Sequence, residues 1–254
     1  MNQITIKQLI QINKAFYENI SQDFDRTRAF DRDGWKKIYQ IIEKDKKTKI
    51  KVLDLGCGNG LWGECLGKRF GKRIEYWGVD NNQQLLDIAV KKLKDVRFKS
   101  KIINSEIIIR NWEKIFQKLK FDVIGVFGLM HHIPSLKLRR RLVERLAELL
   151  VKDGMITISF WQILNKERFM NKIVSWDRYN MLNNNEIDIN QLEPGDCLLN
   201  WSNQNNLRYC HMSSDSEIEK ICKIKDFHII DDYIGDGKTK DLNKYVILQH
   251  NIED

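Results

Sequence analysis

Val52-Leu53-Asp54-Leu55-Gly56-Cys57-Gly58-Asn59-Gly60 reads as a strand, a tight turn and the start of a helix. Apolar Ile50, Val52, Leu53 and Leu55 read as a buried strand, glycines follow at alternate positions, and Leu61 to Phe70 has the pattern of a helix. Glycine tolerates positive φ and carries no Cβ, so a ligand can press against the backbone where the helix presents free N–H groups. Asp54 sits two residues before the first glycine. A second strand, Ile74 to Val79, ends on Asp80, with Asn81 beside it, a little beyond the ~20 residues expected for a ribose-binding acid. Two acids and a glycine turn fit a nucleoside ligand. The turn is Gly-x-Gly-x-Gly, not the Gly-x-Gly-x-x-Gly that seats a pyrophosphate, and a carboxylate on the strand repels phosphate but suits a cationic ligand.

The 254 residues suit one α/β domain: an N-terminal helical cap (1–48), a ligand-binding core (49–161), a substrate-covering insert (162–212) and a final helix with a strand hairpin (213–254). With 42% hydrophobic and 31% charged residues the composition is that of a soluble globular protein, and no apolar run approaches the ~20 residues of a membrane span. Met1 to Leu9 is too polar for a secretory signal, so a cytoplasmic protein with no membrane association is expected. The five cysteines are scattered, with no Cys-x-x-Cys pair, and read as reduced thiols. A net charge of +8 fits a polyanionic partner such as RNA, and fits a solvated lysine-rich surface equally well.

Ile6, Leu9, Ile10, Ile12 and Phe16 recur near helical spacing ahead of Tyr17-Glu18-Asn19-Ile20. Phe24 to Arg28 and Trp35 then place aromatic and arginine side chains close together, which suits a pocket lid, the alternative being a surface helix pinned by Trp35. From Lys49 strands and helices alternate: strand to Leu55, helix 61–70, strand 74–79, helix 82–93, a weaker strand 98–103, helix 111–120 and strand Phe121 to Val126, which predicts a parallel sheet. The last strand leads to His131-His132, beyond its carboxyl end, where ligands of open α/β sheets bind. Adjacent histidines cannot both point the same way and no third ligand is close in sequence, so no metal is expected. Ser135 is placed to cap a helix whose Leu138, Leu142, Leu146, Leu149 and Leu150 form a core stripe. Arg139-Arg140-Arg141 occupies its first turn, where positive charge opposes the helix dipole, so an RNA phosphate is a candidate partner and a solvated face the alternative. A fifth strand, Met155 to Phe160, ends at Trp161. The insert then reads as a helix over 166–179, an asparagine-rich tract, and two segments carrying Asp196, Trp201, Arg208, Tyr209 and His211. Strands Phe227 to Tyr233 and Lys244 to Gln249 finish the sheet as a hairpin.

Asp54-x-Gly56-Cys57-Gly58-x-Gly60 with Asp80 and Asn81 resembles the S-adenosylmethionine site of class I methyltransferases. That resemblance implies a Rossmann-like α/β fold: a seven-stranded, mostly parallel sheet with helices on both faces and an antiparallel last strand. One family is resembled in particular, the tRNA wobble-uridine carboxymethyl methyltransferases. The likeness rests on Tyr17-x-x-Ile20-x-x-x-Phe24-x-x-Thr27-Arg28, the glycine turn, His131-His132 followed by Arg139-Arg140, Trp161, Gly195-Asp196 with Trp201, and Arg208-Tyr209-x-His211. It implies methylation of the carboxylate of 5-carboxymethyluridine in a tRNA anticodon stem-loop, and allows a small activator protein as a further partner. Arg28, His132 and Arg208 are the implied carboxylate-positioning residues. Trp161, Trp201 and Tyr209 are the implied base-stacking groups, and His131, Arg139, Arg140, Asp196 and His211 complete the substrate side. The family's acid after the third strand has no clear register in Asn104-Ser105-Glu106. Rival readings are a methyltransferase of 5-carboxymethoxyuridine or of a small molecule, and an RNA-binding protein with a vestigial cofactor fold.

Overall fold

A computed structural model describes residues 1–26, 31–96, 98–108, 111–163, 166–201 and 206–251. Helix α1 (Gln3–Arg26) precedes α2 (Lys36–Lys44), and the alternation then begins with β1 (Ile50–Leu55), α3 (Leu61–Phe70), β2 (Ile74–Asp80), α4 (Gln83–Lys94), β3 (Lys99–Asn104) and β4 (Phe121–Val126). It continues with α5 (Leu136–Glu148) and β5 (Leu150–Trp161). The insert contains α6 (Glu167–Met170), β6 (Ile173–Val174), α7 (Trp176–Leu182), β7 (Asp196–Trp201) and β8 (Asn206–His211). Helix α8 (Asp215–Cys222), β9 (Phe227–Gly235) and β10 (Asn243–His250) close the chain's described part.

The main sheet has seven strands in the order β3-β2-β1-β4-β5-β10-β9, with β10 antiparallel to both its neighbours and the β1, β2, β3, β4 and β5 pairings parallel. This is the Rossmann-like class I methyltransferase architecture. Consecutive residues of β1 serve opposite faces: Leu53 and Leu55 pack with Leu142 and Leu146 of α5 and Ile221 of α8, whereas Val52 packs with Trp62 and Leu66 of α3 and Tyr39 of α2. A strand covered by helices on both sides loses its polar positions, which is why β1 and β4 are near-continuous apolar runs. Ser135 caps α5, its hydroxyl accepting from the Leu138 N–H.

Two expected helices are not formed. Residues 111–120 make a short 3-10 turn, Trp112–Ile115, because Trp112 and Phe116 are drawn into the core, Phe116 packing edge-on against Phe121, and Gln117 takes φ 43°. The helix expected over 166–179 is split, because β-branched Ile173 and Val174 join β7 as an edge strand and Ser175 restarts the chain as the cap of α7.

The small sheet, in the order β6-β7-β8, is held to the core by α1 and by a buried polar cluster. Arg139 of α5 is 0% exposed. Its Nε and Nη2 donate to Glu217 Oε1 (3.0 and 2.7 Å), Nη1 donates to the Ile133 carbonyl (2.7 Å) and Nη2 also reaches Glu193. His211 bridges Asp196 (2.7 Å) and Glu217 (2.8 Å), and the Tyr209 hydroxyl donates to Asp196 (2.7 Å). Burial works against a charged imidazole here, but the hydrogen bonds to Asp196 and Glu217 outweigh it and raise the His211 pKa. Burial likewise opposes the Glu217 carboxylate, yet His211 and Arg139 hold its pKa below the usual value. The structure therefore corrects the substrate-side reading of Arg139, Asp196, Tyr209 and His211. They are consumed by one another, and Arg139 is closed to any phosphate. Arg140 is exposed and lies 3.8 Å from Glu144.

Removing the arginine of such a cluster strands two carboxylates. Arg139→Ala is expected to cost about 3–5 kcal/mol of unfolding free energy, and Arg140→Ala less than about 0.5 kcal/mol, as measured by urea titration.

Candidate active site

The glycine turn lies where the strand order reverses, between β1 and β4 at their carboxyl ends. The N–H groups of Gly56 and Cys57 both donate to the Val79 carbonyl of β2 (2.8 and 3.1 Å), and Gly60 starts α3. Gly56 and Gly60 take φ of 76° and 72°, and a Cβ would meet Leu129 at 3.1 Å in the first case and Ala89 at 2.9 Å in the second. Neither position admits a side chain. Cys57 contributes backbone alone, its buried thiol packing toward Gly78 with its pKa pushed up by burial.

Asp80, at the end of β2, accepts from the N–H groups of Gly58 and Asn82 (both 2.9 Å). Burial raises its pKa, and these backbone donors act in the opposite sense. Asn81 donates to Glu106 (3.1 Å), which the chain brings alongside because the Ser105 N–H donates to the Asp80 carbonyl (2.9 Å). Between these residues and α1 lies a cleft of about 550 Å3, lined by Gly56, Gly58, Asp80, Asn81, Glu106, Tyr17 and His132 among others. Its size is that of a nucleoside-class ligand site.

Asp54 lines a smaller adjoining cavity with Arg32, Trp35 and Trp62. The Tyr76 hydroxyl donates to it (2.6 Å). Burial pushes its pKa up to about 7, with Asp80 adding to the rise and Tyr76 and Arg32 opposing it. The indole N–H groups of Trp35 and Trp62 are buried without a partner among the described residues. An acid beside a guanidinium and two unused donors fits the ammonium and carboxylate of an amino-acid moiety. Together with the Asp80 acceptor for ribose hydroxyls and the bare glycine floor, the residues present fit S-adenosylmethionine.

Beside the cleft, the turn after β4, α1 and β8 pack together. His131 and His132 sit on a 3-10 turn, Met130–His132, where successive side chains are about 120° apart, not opposed. Their ring centroids are 4.0 Å apart, and Cys210, distant in sequence, brings a third potential ligand atom within 4.8 Å of both. The expected divergence of the histidines is thus overturned. Tyr17 and Tyr209 already engage the two ring nitrogens of His132, and burial pushes the Cys210 thiol up to about 11, so an ion there would have to displace both kinds of partner.

Trp161 is sandwiched. The His131 ring stacks on it at 3.9 Å and 12°, the Arg208 guanidinium lies 4.6 Å from its centroid, and two planar groups cannot share one face. It therefore offers no face to a base, and Tyr209 is fully buried. Trp201, partly exposed and 5.0 Å from Arg208, keeps its place as a stacking candidate. Arg208 is 3% exposed, boxed by Phe16, Trp161 and Trp201, and has no carboxylate or other hydrogen-bond acceptor among the described residues. Arg28 lies outside the described residues. Glu106, Tyr17, Asn13 and Phe16 were not singled out as site residues from sequence. On a helical pattern the α1 residues look like ordinary core positions, and the position of Glu106 follows from β3 ending at Asn104.

Residues 52–154 match the model of a methyltransferase domain family. A probable tRNA methyltransferase 9B of Mus musculus is 25% identical over 167 residues, 65% of this chain and 33% of its own length. The chain spans about a third of the length of such relatives. A demethylmenaquinone methyltransferase of Thermotoga maritima is 30% identical over 168 residues, 63% of this chain and 66% of its own. Among solved structures, an S-adenosylmethionine-dependent methyltransferase of Clostridium acetobutylicum superimposes with a TM-score of 0.64 at 16% identity, covering 93% of this chain and 99% of the other. The cofactor is S-adenosylmethionine. No helix among the described residues is long and apolar enough to cross a membrane.

The raised pKa of Asp54 has a defined sign. An acid whose folded pKa exceeds its unfolded value contributes stability that is complete below the unfolded pKa and is lost as pH rises through about 7. A bound ammonium offsets the buried charge. The thermal shift given by saturating S-adenosylmethionine is therefore expected to be larger at about pH 7.5 than at about pH 5.5. Asp54→Asn should abolish that difference.

Proposed function

We propose that this chain, a methyltransferase domain of class I fold with S-adenosylmethionine as its cofactor, is a tRNA methyltransferase that esterifies the carboxylate of 5-carboxymethyluridine at the wobble position. The observation that carries this reading is Arg208. Burying a guanidinium without an acid costs several kcal/mol, which cation–π contacts of about 0.5–2 kcal/mol each offset in part. Such a cation, next in the chain to Tyr209, whose carbonyl lies by His132 of the cleft lining, is suited to an anionic acceptor. The sequence likeness to tRNA methyltransferases and the net charge of +8 support RNA as the molecule that carries it.

When bound, S-adenosylmethionine supplies an electrophilic methyl group. A carboxylate, with an ordinary pKa near 4, is already ionised at neutral pH and needs no base. The residues' task is then to position and desolvate it. Arg208 grips one carboxylate oxygen and leaves the other to attack. Trp201 offers a ring for the extruded base. His132, held by hydrogen bonds from two other elements, forms the wall between the cofactor turn and this subsite. Arg28 and the anticodon stem-loop contacts belong to the same proposal.

An anticodon stem-loop bearing 5-carboxymethyluridine should take up one methyl group that mild alkali releases, and the same RNA with unmodified uridine should take up none. Alkali-stable label, or equal labelling of both, overturns the assignment. Arg208→Met should lower turnover roughly 10- to 100-fold, as loss of charged hydrogen bonds to the acceptor requires. Its thermal midpoint should stay level or rise, because the variant relieves a buried charge. A structural arginine would give the reverse pattern.

A further inference from the structure

Arg32 and Trp35, which line the Asp54 cavity, belong to one tight turn. The Trp35 N–H donates to the Arg32 carbonyl (3.0 Å), and the Arg32 guanidinium lies 5.2 Å from the Trp35 ring centroid. Gly34, inside that turn, is gripped by the hairpin at the far edge of the main sheet. Its N–H donates to Oδ1 of Asp236, the residue after β9 (2.9 Å), and its carbonyl accepts from the Tyr233 hydroxyl (2.6 Å). A Cβ at Gly34 would lie 2.1 Å from the Tyr245 ring, so β10 closes on a third side.

Asp236 is 7% exposed and takes φ 66°, a conformation that aspartate and asparagine tolerate better than most residues. Its Oδ2 accepts from Asn243 Nδ2 (2.7 Å) and from the Tyr245 hydroxyl. Both carboxylate oxygens therefore face donors, and an amide in this place would turn its own N–H group toward one of them. The side chain lines neither the cleft nor the Asp54 cavity. Its reach toward the ligand runs through the backbone of Gly34 alone.

We propose that Asp236 is a positioning residue for the amino-acid end of the cofactor: by fixing Gly34 it sets the Arg32 guanidinium and the Trp35 indole N–H beside Asp54. The inference rests on the reading of the Asp54 cavity as the seat of the ligand's ammonium and carboxylate, and is independent of the methyl acceptor. Helix α2 anchors the turn where it ends, and the hairpin anchors its middle. Trp35 Nε1 has no partner among the described residues, so its direction is set by packing and by the backbone that carries it. Hydrogen bonds weaken steeply with misalignment, so a turn released at Gly34 meets a carboxylate less well.

The test compares S-adenosylhomocysteine with 5′-methylthioadenosine by calorimetric titration, because both are thioethers of the same nucleoside and only the first has an amino-acid end. In Asp236→Asn the second should bind within about 2-fold of wild type and the first roughly 10-fold more weakly, as loss of well-aligned charged bonds requires. Equal weakening of both, or of neither, overturns the proposal. Tyr245→Phe takes a bond from the same carboxylate and leaves Gly34 its acceptor, so it should lower the thermal midpoint and leave the affinity ratio unchanged. A ratio that falls there as far as in Asp236→Asn marks a general loosening of the hairpin and also overturns it. Arg32→Gln removes a lining group outright and should lower the ratio by itself. A ratio unmoved by Arg32→Gln removes the reading of the cavity, and this inference with it, whereas a ratio moved by Arg32→Gln and not by Asp236→Asn overturns the coupling alone. Should Asp236→Asn not fold, wild-type amide exchange decides: at saturation S-adenosylhomocysteine should slow exchange of the Gly34 N–H more than 5′-methylthioadenosine does, and equal protection overturns the proposal.

Discussion

Backbone approach at the carboxyl end of β1 is the constraint on which the molecule depends. Gly56 lies against Leu129 of the turn after β4 and Gly60 against Ala89 of α4, each in the left-handed region and each closer than a Cβ would ordinarily allow. Those two contacts fix the distance from β1 to the turn after β4 and from α3 to α4. The cleft is what remains between them. A methyl group at either position would push apart the two walls on which the ligand groups are carried.

Two buried arginines show how charge is distributed around that frame. Arg139 is neutralised by Glu193 and Glu217 and fixes the insert to α5 and α8. Arg208 sits on the same insert and has aromatic faces in place of acids. The first arrangement is closed and contributes rigidity. The second leaves donors unused and is tolerable because the ring faces partly replace water. The first therefore braces the scaffold that holds the second in place.

Helix α1 connects these parts. Leu9 packs with Tyr209 and Leu198, Phe16 with Ile20 and Leu85, and Asp25 accepts from Asn59 of the glycine turn (2.7 Å) while pairing with Lys92 of α4. One helix thus touches the glycine turn, the cleft and β8. Asn13 and His132 complete the open edge of β8 with side-chain groups where another strand would otherwise be needed, so the small sheet stays flush with the cleft.

Features that depend on near neighbours along the chain are legible in the sequence. The glycine turn, the acids Asp54 and Asp80 at strand ends, the Ser135 cap and the alternation of β1 to β5 are set by periodicity and steric preference within a few residues. The seven strands of the main sheet and its antiparallel last strand followed from the family resemblance, and the strand order came from the fold. Which polar groups are spent depends on contacts between distant parts of the chain. Arg139 finds its acids 54 and 78 residues away, and Tyr17 finds His132 115 residues away. In sequence Arg139 and Arg208 are alike. Their difference arises because a charge in a low-dielectric interior is governed by whatever surrounds it, and those surroundings are assembled by the fold. The same holds for His131 and His132, whose convergence depends on a 3-10 turn that local propensity does not specify, and for Trp161, whose two faces were filled by residues from separate elements.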